Sequence, residues 1–101
     1  MASLGEFFNM VAMEAVIARN GSVLDANVGD ETVLMSVDTG EYYALTATSR
    51  EIWNRLDTPI SVRDLCRALA DAYGAPVETV TADTLAFLDY LERRNMLKIG
   101  D

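Results

Sequence analysis

After Leu45 this 101-residue chain reads as helix up to a short apolar tail, so its sheet is expected from the residues before it. Three helical segments follow Leu45 directly, which leaves no later strand to cover the one that ends there. The stretch just before, Glu31 to Leu45, is ETVLMSVDTGEYYAL: two short apolar runs around Asp38-Thr39-Gly40. Its glycine can take the positive φ that a hairpin needs. A three-residue loop there sets Val37 opposite Glu41, Ser36 opposite Tyr42, Met35 opposite Tyr43 and Val33 opposite Leu45. That register gathers Val33, Met35, Val37, Tyr43 and Leu45 on one face, the more apolar set and the expected core face. A two-residue loop would pair Ser36 with Tyr43 and mix the faces. Val23 to Val28 reads as a preceding strand, turned into the hairpin by Gly29-Asp30. The expectation is a three-stranded antiparallel sheet in sequence order, with Glu41 to Leu45 at an open edge.

Composition bounds what such a domain can do. The length fits one compact domain, and a hydrophobic fraction of 50 % supplies a core. Sixteen acidic against eight basic residues give a net charge of −8, which argues against nucleic acid as a partner, because phosphate contacts need clustered Lys and Arg. No apolar run approaches the roughly 20 residues of a membrane span, so no membrane association is expected. A single cysteine, Cys66, permits no intramolecular disulfide and is compatible with the reducing cytosol. The chain has no histidine, which removes the commonest general base and the commonest metal ligand together. A non-catalytic cytoplasmic protein without cofactor or metal is expected.

In the first twenty residues Leu4, Phe7, Phe8, Val11 and Ala15 fall on one helical face. Residues 1–21 are therefore expected as an N-terminal extension of helical character, and residues 22–101 as the domain. Ala15-Val16-Ile17-Ala18 loosely resembles a signal-peptide cleavage site. The lack of Lys or Arg in the first ten residues, and the interruptions at Asn9 and Glu14, argue against one. The extension could pack on the domain or offer a surface for self-association or a partner enzyme.

Thr48-Ser49-Arg50-Glu51 has the form of a capping box, opening a short helix that buries Ile52, Trp53 and Leu56 and stops before Pro59. Ser61-Val62-Arg63-Asp64 opens a second helix, with a stripe of Val62, Leu65, Cys66, Leu69 and Tyr73 and Gly74 as its left-handed end. Pro76 at the first helical position opens the third and longest, which runs to about Asn95. Its stripe is Val77, Val80, Thr84, Phe87, Leu88 and Leu91. At 100° per residue, Asp83, Tyr90 and Arg94 border that stripe beside Phe87. Such a border is either a solvated helix edge or one wall of a groove. Met96 to Ile99 closes the domain as a short apolar tail.

Little in the chain carries chemistry. Cys66 lies in an apolar stripe as a buried structural thiol would. The aspartates follow no calcium-loop spacing, and the glycines stand singly, so no phosphate cradle is visible. A hairpin with three helices is compatible with a winged-helix DNA binder, but these helices carry Asp64, Asp71, Glu78, Asp83, Asp89 and Glu92 against four arginines. An edge strand with free backbone groups is instead a template for strand addition by a peptide. Tyr42, Tyr43 and Ala44 on that edge, facing Asp83, Phe87, Tyr90, Leu91 and Arg94, would make the groove.

The ordered set Leu34-Met35, Gly40-x-Tyr42-Tyr43-x-Leu45, Ile52-Trp53, Asp83 and Phe87-Leu88-x-x-Leu91 resembles the PqqD-like family over about residues 22–99. Members are precursor-peptide recognition elements of ribosomally synthesised, post-translationally modified peptide (RiPP) pathways. The resemblance implies a winged-helix-like α+β domain, a three-stranded antiparallel sheet followed by three helices. It also implies a leader peptide added as a strand to the third strand, in the cleft against the third helix. By position it implies backbone pairing at Tyr42, Tyr43 and Ala44, with Asp83, Phe87, Tyr90, Leu91 and Arg94 as the helix wall. Asp83 matches the family's recurrent acidic position. Members from pyrroloquinoline quinone synthesis usually carry a Pro-Glu-Gly-type turn and a Leu-Asn strand ending, where this chain has Asp38-Thr39-Gly40 and Leu45-Thr46. It is thus more similar to the stand-alone leader-binding proteins of lasso-peptide clusters, which deliver the precursor to a leader peptidase and a cyclase. The alternatives are a peptide chaperone for a radical SAM enzyme, in pyrroloquinoline quinone or another peptide-modification pathway, and a winged-helix DNA-binding protein.

Overall fold

The structure, a computed structural model, describes residues 12–100. Strand β1 (Val16–Arg19) leads into a meander of β2 (Val23–Val28), β3 (Glu31–Ser36) and β4 (Tyr42–Leu45). Helix α1 (Ala47–Arg55), the two-residue strand β5 (Ile60–Ser61), α2 (Val62–Tyr73), α3 (Val77–Arg93) and β6 (Leu97–Ile99) complete it. The expected α+β architecture is present: an antiparallel sheet β2-β3-β4 in sequence order, followed by three helices.

The register within that sheet differs from the expected one. Met35 pairs with Tyr42, Leu34 with Tyr43, Val33 with Ala44 and Thr32 with Leu45, so the loop has four residues, Val37 to Gly40. Gly40 keeps the left-handed role (φ +74), but the turn begins one residue earlier. Loop chemistry accounts for this: the Ser36 hydroxyl accepts the Thr39 N–H at 3.3 Å, and the Gly40 N–H donates to the Ser36 carbonyl at 2.7 Å. The face turned to the core is therefore Thr32, Leu34 and Ser36 with Tyr43 and Leu45, and Val37 is 56 % exposed. Counting apolar residues favoured Val33, Met35 and Val37, yet buried hydroxyls cost little once bonded. Thr32 donates to Asn27 Oδ1 at 2.8 Å, and Ser36 serves the loop.

Helix α1 is capped by Thr46, not Thr48; the Thr46 hydroxyl accepts the Ser49 N–H at 3.2 Å. Glu51, expected to reach back to the cap, instead accepts from Arg55 Nε one turn on at 2.8 Å. Helix α2 is capped as expected by Ser61 and ends at Gly74 with φ +63, although Tyr73 at the end of its stripe is 46 % exposed. Pro76 is the cap of α3 rather than its first residue, and Val77 is 42 % exposed.

The second sheet, β5-β1-β6, has no counterpart in the sequence reading. Ala15, assigned to a helical face, directly precedes β1; the rest of that face (Leu4, Phe7, Phe8 and Val11) lies outside the described residues. Strand β1 pairs with β5 at Val16 and Ile17 and with β6 from Ile17 to Arg19, and Ile17 is fully buried in the core. The expected apolar tail is β6. A Schellman motif turns the chain into it: Asn95 takes φ +58, Met96 N–H donates to Leu91 O at 2.9 Å and Asn95 N–H to Glu92 O at 3.1 Å. Met96 and Leu91, the motif's apolar pair, are both fully buried.

Core packing fixes the sheet against the helices. Trp53, Leu34, Ile52, Leu56, Leu65, Leu69, Leu88 and Leu91 form one cluster, at most 2 % exposed. The Trp53 indole N–H donates to Asp25 Oδ2 at 2.9 Å, tying α1 to β2. Arg19 donates twice to the Trp53 carbonyl, at 2.9 and 3.1 Å, and lies 4.7 Å from the ring centroid. Sheet, α1 and the end of β1 are thus locked at one point.

Candidate peptide-binding site

Strand β4 pairs only with β3 among the described residues, so its outer edge is open. Ser36 N–H donates to Glu41 O at 3.0 Å, which makes Ser36 and Glu41 a hydrogen-bonded pair. Antiparallel alternation then directs the backbone groups of Tyr43 and Leu45 to β3 and those of Tyr42 and Ala44 to the open edge. Two residues two apart, each with an outward N–H and C=O, are the pattern an incoming strand can pair with.

Side chains alternate in the other sense. Tyr43 points towards α3, while Tyr42, 70 % exposed, projects from the opposite face of the sheet. On α3, Phe87, Tyr90 and Arg94 recur at helical spacing and stack along the side facing β4. The rings of Phe87 and Tyr90 lie nearly parallel, 17° apart with centroids at 6.0 Å, and Tyr43 meets Tyr90 edge-on at 6.1 Å. The Arg94 guanidinium closes the row, 3.6 Å from the Tyr90 ring centroid and 5.6 Å from that of Tyr43, with Nη1 donating to Tyr90 O at 3.0 Å. Tyr43 donates to Glu41 Oε1 at 2.6 Å, and this bond is the main reason its phenol is held above the ordinary 10.0.

Between these walls lies an open cleft of about 400 Å³, lined by Ala44, Leu45, Thr46 and Ser49 on one side and Asp83, Ala86, Phe87 and Tyr90 on the other. Asp83 is exposed and makes no ion pair among the described residues. It also borders a narrower pocket of about 210 Å³ with Ile52, Leu69, Tyr73 and Val80. Seven of the eight residues singled out from the sequence belong to the surface of this region. Leu91 does not: it is fully buried and backs the wall without lining it. Tyr42 contributes its backbone to the edge but not its ring to the cleft. Leu45, Thr46, Ser49 and Ala86 were missed, though the Thr46-x-x-Ser49 cap was readable.

The site offers a strand edge, aromatic faces, a carboxylate and a guanidinium, a set suited to holding an extended peptide. Cys66 is only 1 % exposed, and no group of three His, Cys, Asp or Glu among the described residues could hold a metal ion. No helix among them is long and apolar enough to cross a membrane.

Comparison with known proteins bears on this geometry. The family model described as Coenzyme PQQ synthesis protein D (PqqD) matches residues 31–97. The structure of TbiB1 in complex with the TbiA(beta) leader peptide is similar with a TM-score of 0.73 and 28 % identity, over 80 % of this chain and 94 % of that one. A lasso peptide synthetase B1 complexed with its leader peptide gives 0.71 at 23 % identity, over 81 % and 96 %. The PqqD portion of Methylobacterium extorquens PqqCD, described as a functional stand-alone RiPP recognition element, gives 0.75 at 17 %, over 90 % and 97 %. The last two identities bear on the fold alone. No curated protein matches.

Proposed function

Because the chain belongs to the PqqD family, we propose that it is a non-catalytic recognition element that binds the leader segment of a ribosomally made precursor peptide. The leader adds as a strand to the open edge of β4, bonding to the backbone of Tyr42 and Ala44. Its alternate side chains enter the cleft against Asp83, Phe87 and Tyr90, with Arg94 at the far end. By analogy with the lasso peptide synthetase B1, the pathway in this reading is that of a lasso peptide, and the chain would deliver the precursor to a leader peptidase and a cyclase in the cytoplasm. Delivery to a radical SAM enzyme is the variant within the same family.

One observation carries the reading: an unpaired strand edge runs beside an aromatic row on α3. Either feature alone has ordinary structural explanations; together they form a slot with backbone and side-chain partners for one extended segment. The test is fluorescence anisotropy with a labelled synthetic leader from the precursor encoded beside this chain. Wild type binds it, and Phe87→Asp, at a half-buried rim position, lowers affinity by about tenfold or more. Equal binding by wild type and Phe87→Asp, with both folded, would place the peptide elsewhere.

A further inference from the structure

The face of the β2-β3-β4 sheet that points away from the helices is the more apolar of its two. Alternation places Leu24, Ala26 and Val28, Val33 and Met35, and Tyr42 on that side. Leu24, Val28 and Tyr42 are 55 %, 63 % and 70 % exposed, and a shallow depression of about 300 Å³ runs between Leu24, Met35 and Tyr42. The inner face meanwhile buries the hydroxyls of Thr32 and Ser36. A sheet with one solvated face ordinarily turns its polar set outward. A contiguous apolar patch in that position marks an interaction surface.

The rim is mainly acidic, although Arg19 pairs with Asp25 and Arg50 donates to the Asp30 carbonyl. Residues 21–49 contain five carboxylates and no Lys or Arg. Asp30 and Glu31 stand at one end of the hairpins and Asp38 and Glu41 at the other, all exposed. A second copy would set like charges against each other, and an anionic lipid surface would be repelled in the same way. The complement is a protein surface with an apolar centre and a rim of Lys and Arg. Location narrows it further: a strand added to β4 extends this same face, placing alternate leader side chains beside Tyr42 and Ala44.

We propose that this outer face is the docking surface for the enzyme that processes the bound leader. The contacts centre on Leu24 and Met35, with a basic rim supplied by the enzyme, which thereby reads peptide and carrier as one surface. The inference rests on the leader-binding reading above, and its test separates the two. The full chain is titrated with the labelled leader, and the loaded complex with the purified leader-processing enzyme encoded beside it. Leu24→Glu and Met35→Glu are expected to keep leader affinity within about twofold and to lower enzyme affinity by about tenfold or more. Glu31→Lys is expected to weaken recruitment and flatten its salt dependence. Unchanged recruitment by both glutamate variants, with leader affinity kept, overturns the docking face and leaves the leader reading standing. A wild-type dimer in sedimentation that Leu24→Glu dissolves gives the face to a second copy and overturns it too. Failure of wild type to bind the leader removes the functional reading, and this inference with it.

Discussion

Tyr43 joins the two walls of the cleft through one side chain: its ring meets Tyr90 edge-on while its hydroxyl donates to Glu41. The bond to the Glu41 carboxylate, with a smaller contribution from burial, favours the neutral phenol and raises its pKa above 10.0. For an acid raised in this way, the favourable interaction is complete below the unfolded value near 10 and is lost as pH climbs through the folded one. Leader binding is therefore expected to show no dependence on Tyr43 ionisation between about pH 6 and 9. Carbon-13 NMR of labelled tyrosine, assigned with Tyr43→Phe, checks this: the Tyr43 resonance titrates above 10, and Glu41→Gln brings it down. Tyr43 and Phe87 were legible because a side chain's place on a strand or helix face follows from period alone. Leu91 was not, because period sets direction and not depth; the Schellman contact with Met96 draws it fully into the core.

Strand β4 is a free edge because α1 begins immediately after it, capped by Thr46. Replacing Thr46 with Ala removes the acceptor for the Ser49 N–H and is expected to cost about 1 kcal/mol of stability in urea unfolding. The edge makes a sharper prediction. Ala44 N–H faces outward, so Ala44→Pro deletes one donor to an added strand while leaving the β3–β4 ladder its bonds. Leader affinity in anisotropy should fall by about tenfold, with the unfolding midpoint little changed; unaltered affinity would mean that side chains alone hold the peptide. The open edge itself was readable from element order, since no strand followed soon enough to cover it. The loop register was not. A buried serine bonding to its own turn outweighed a count of apolar residues: Tyr43 and Leu45 face the core as expected, while Val33, Met35 and Val37 turn away from it.

Across the molecule, the sheet and three helices could be read from local patterns, whereas β5-β1-β6 could not. Its strands have two to four residues and come from three distant parts of the chain, so no window of sequence carries a period for it. That sheet anchors β1 and the end of α3, and so fixes the helix wall opposite β4. The chain's net charge of −8, spread over the sheet and the helices, suits a peptide carrier better than a nucleic-acid binder. The central claim, strand addition at β4, is tested most directly by hydrogen exchange of individual backbone amides with and without the labelled leader. Tyr43 and Leu45, already bonded to β3, should be protected in both states, while Tyr42 and Ala44 should exchange freely alone and become protected on binding. A leader that binds while Tyr42 and Ala44 keep exchanging at their free rates would contradict it.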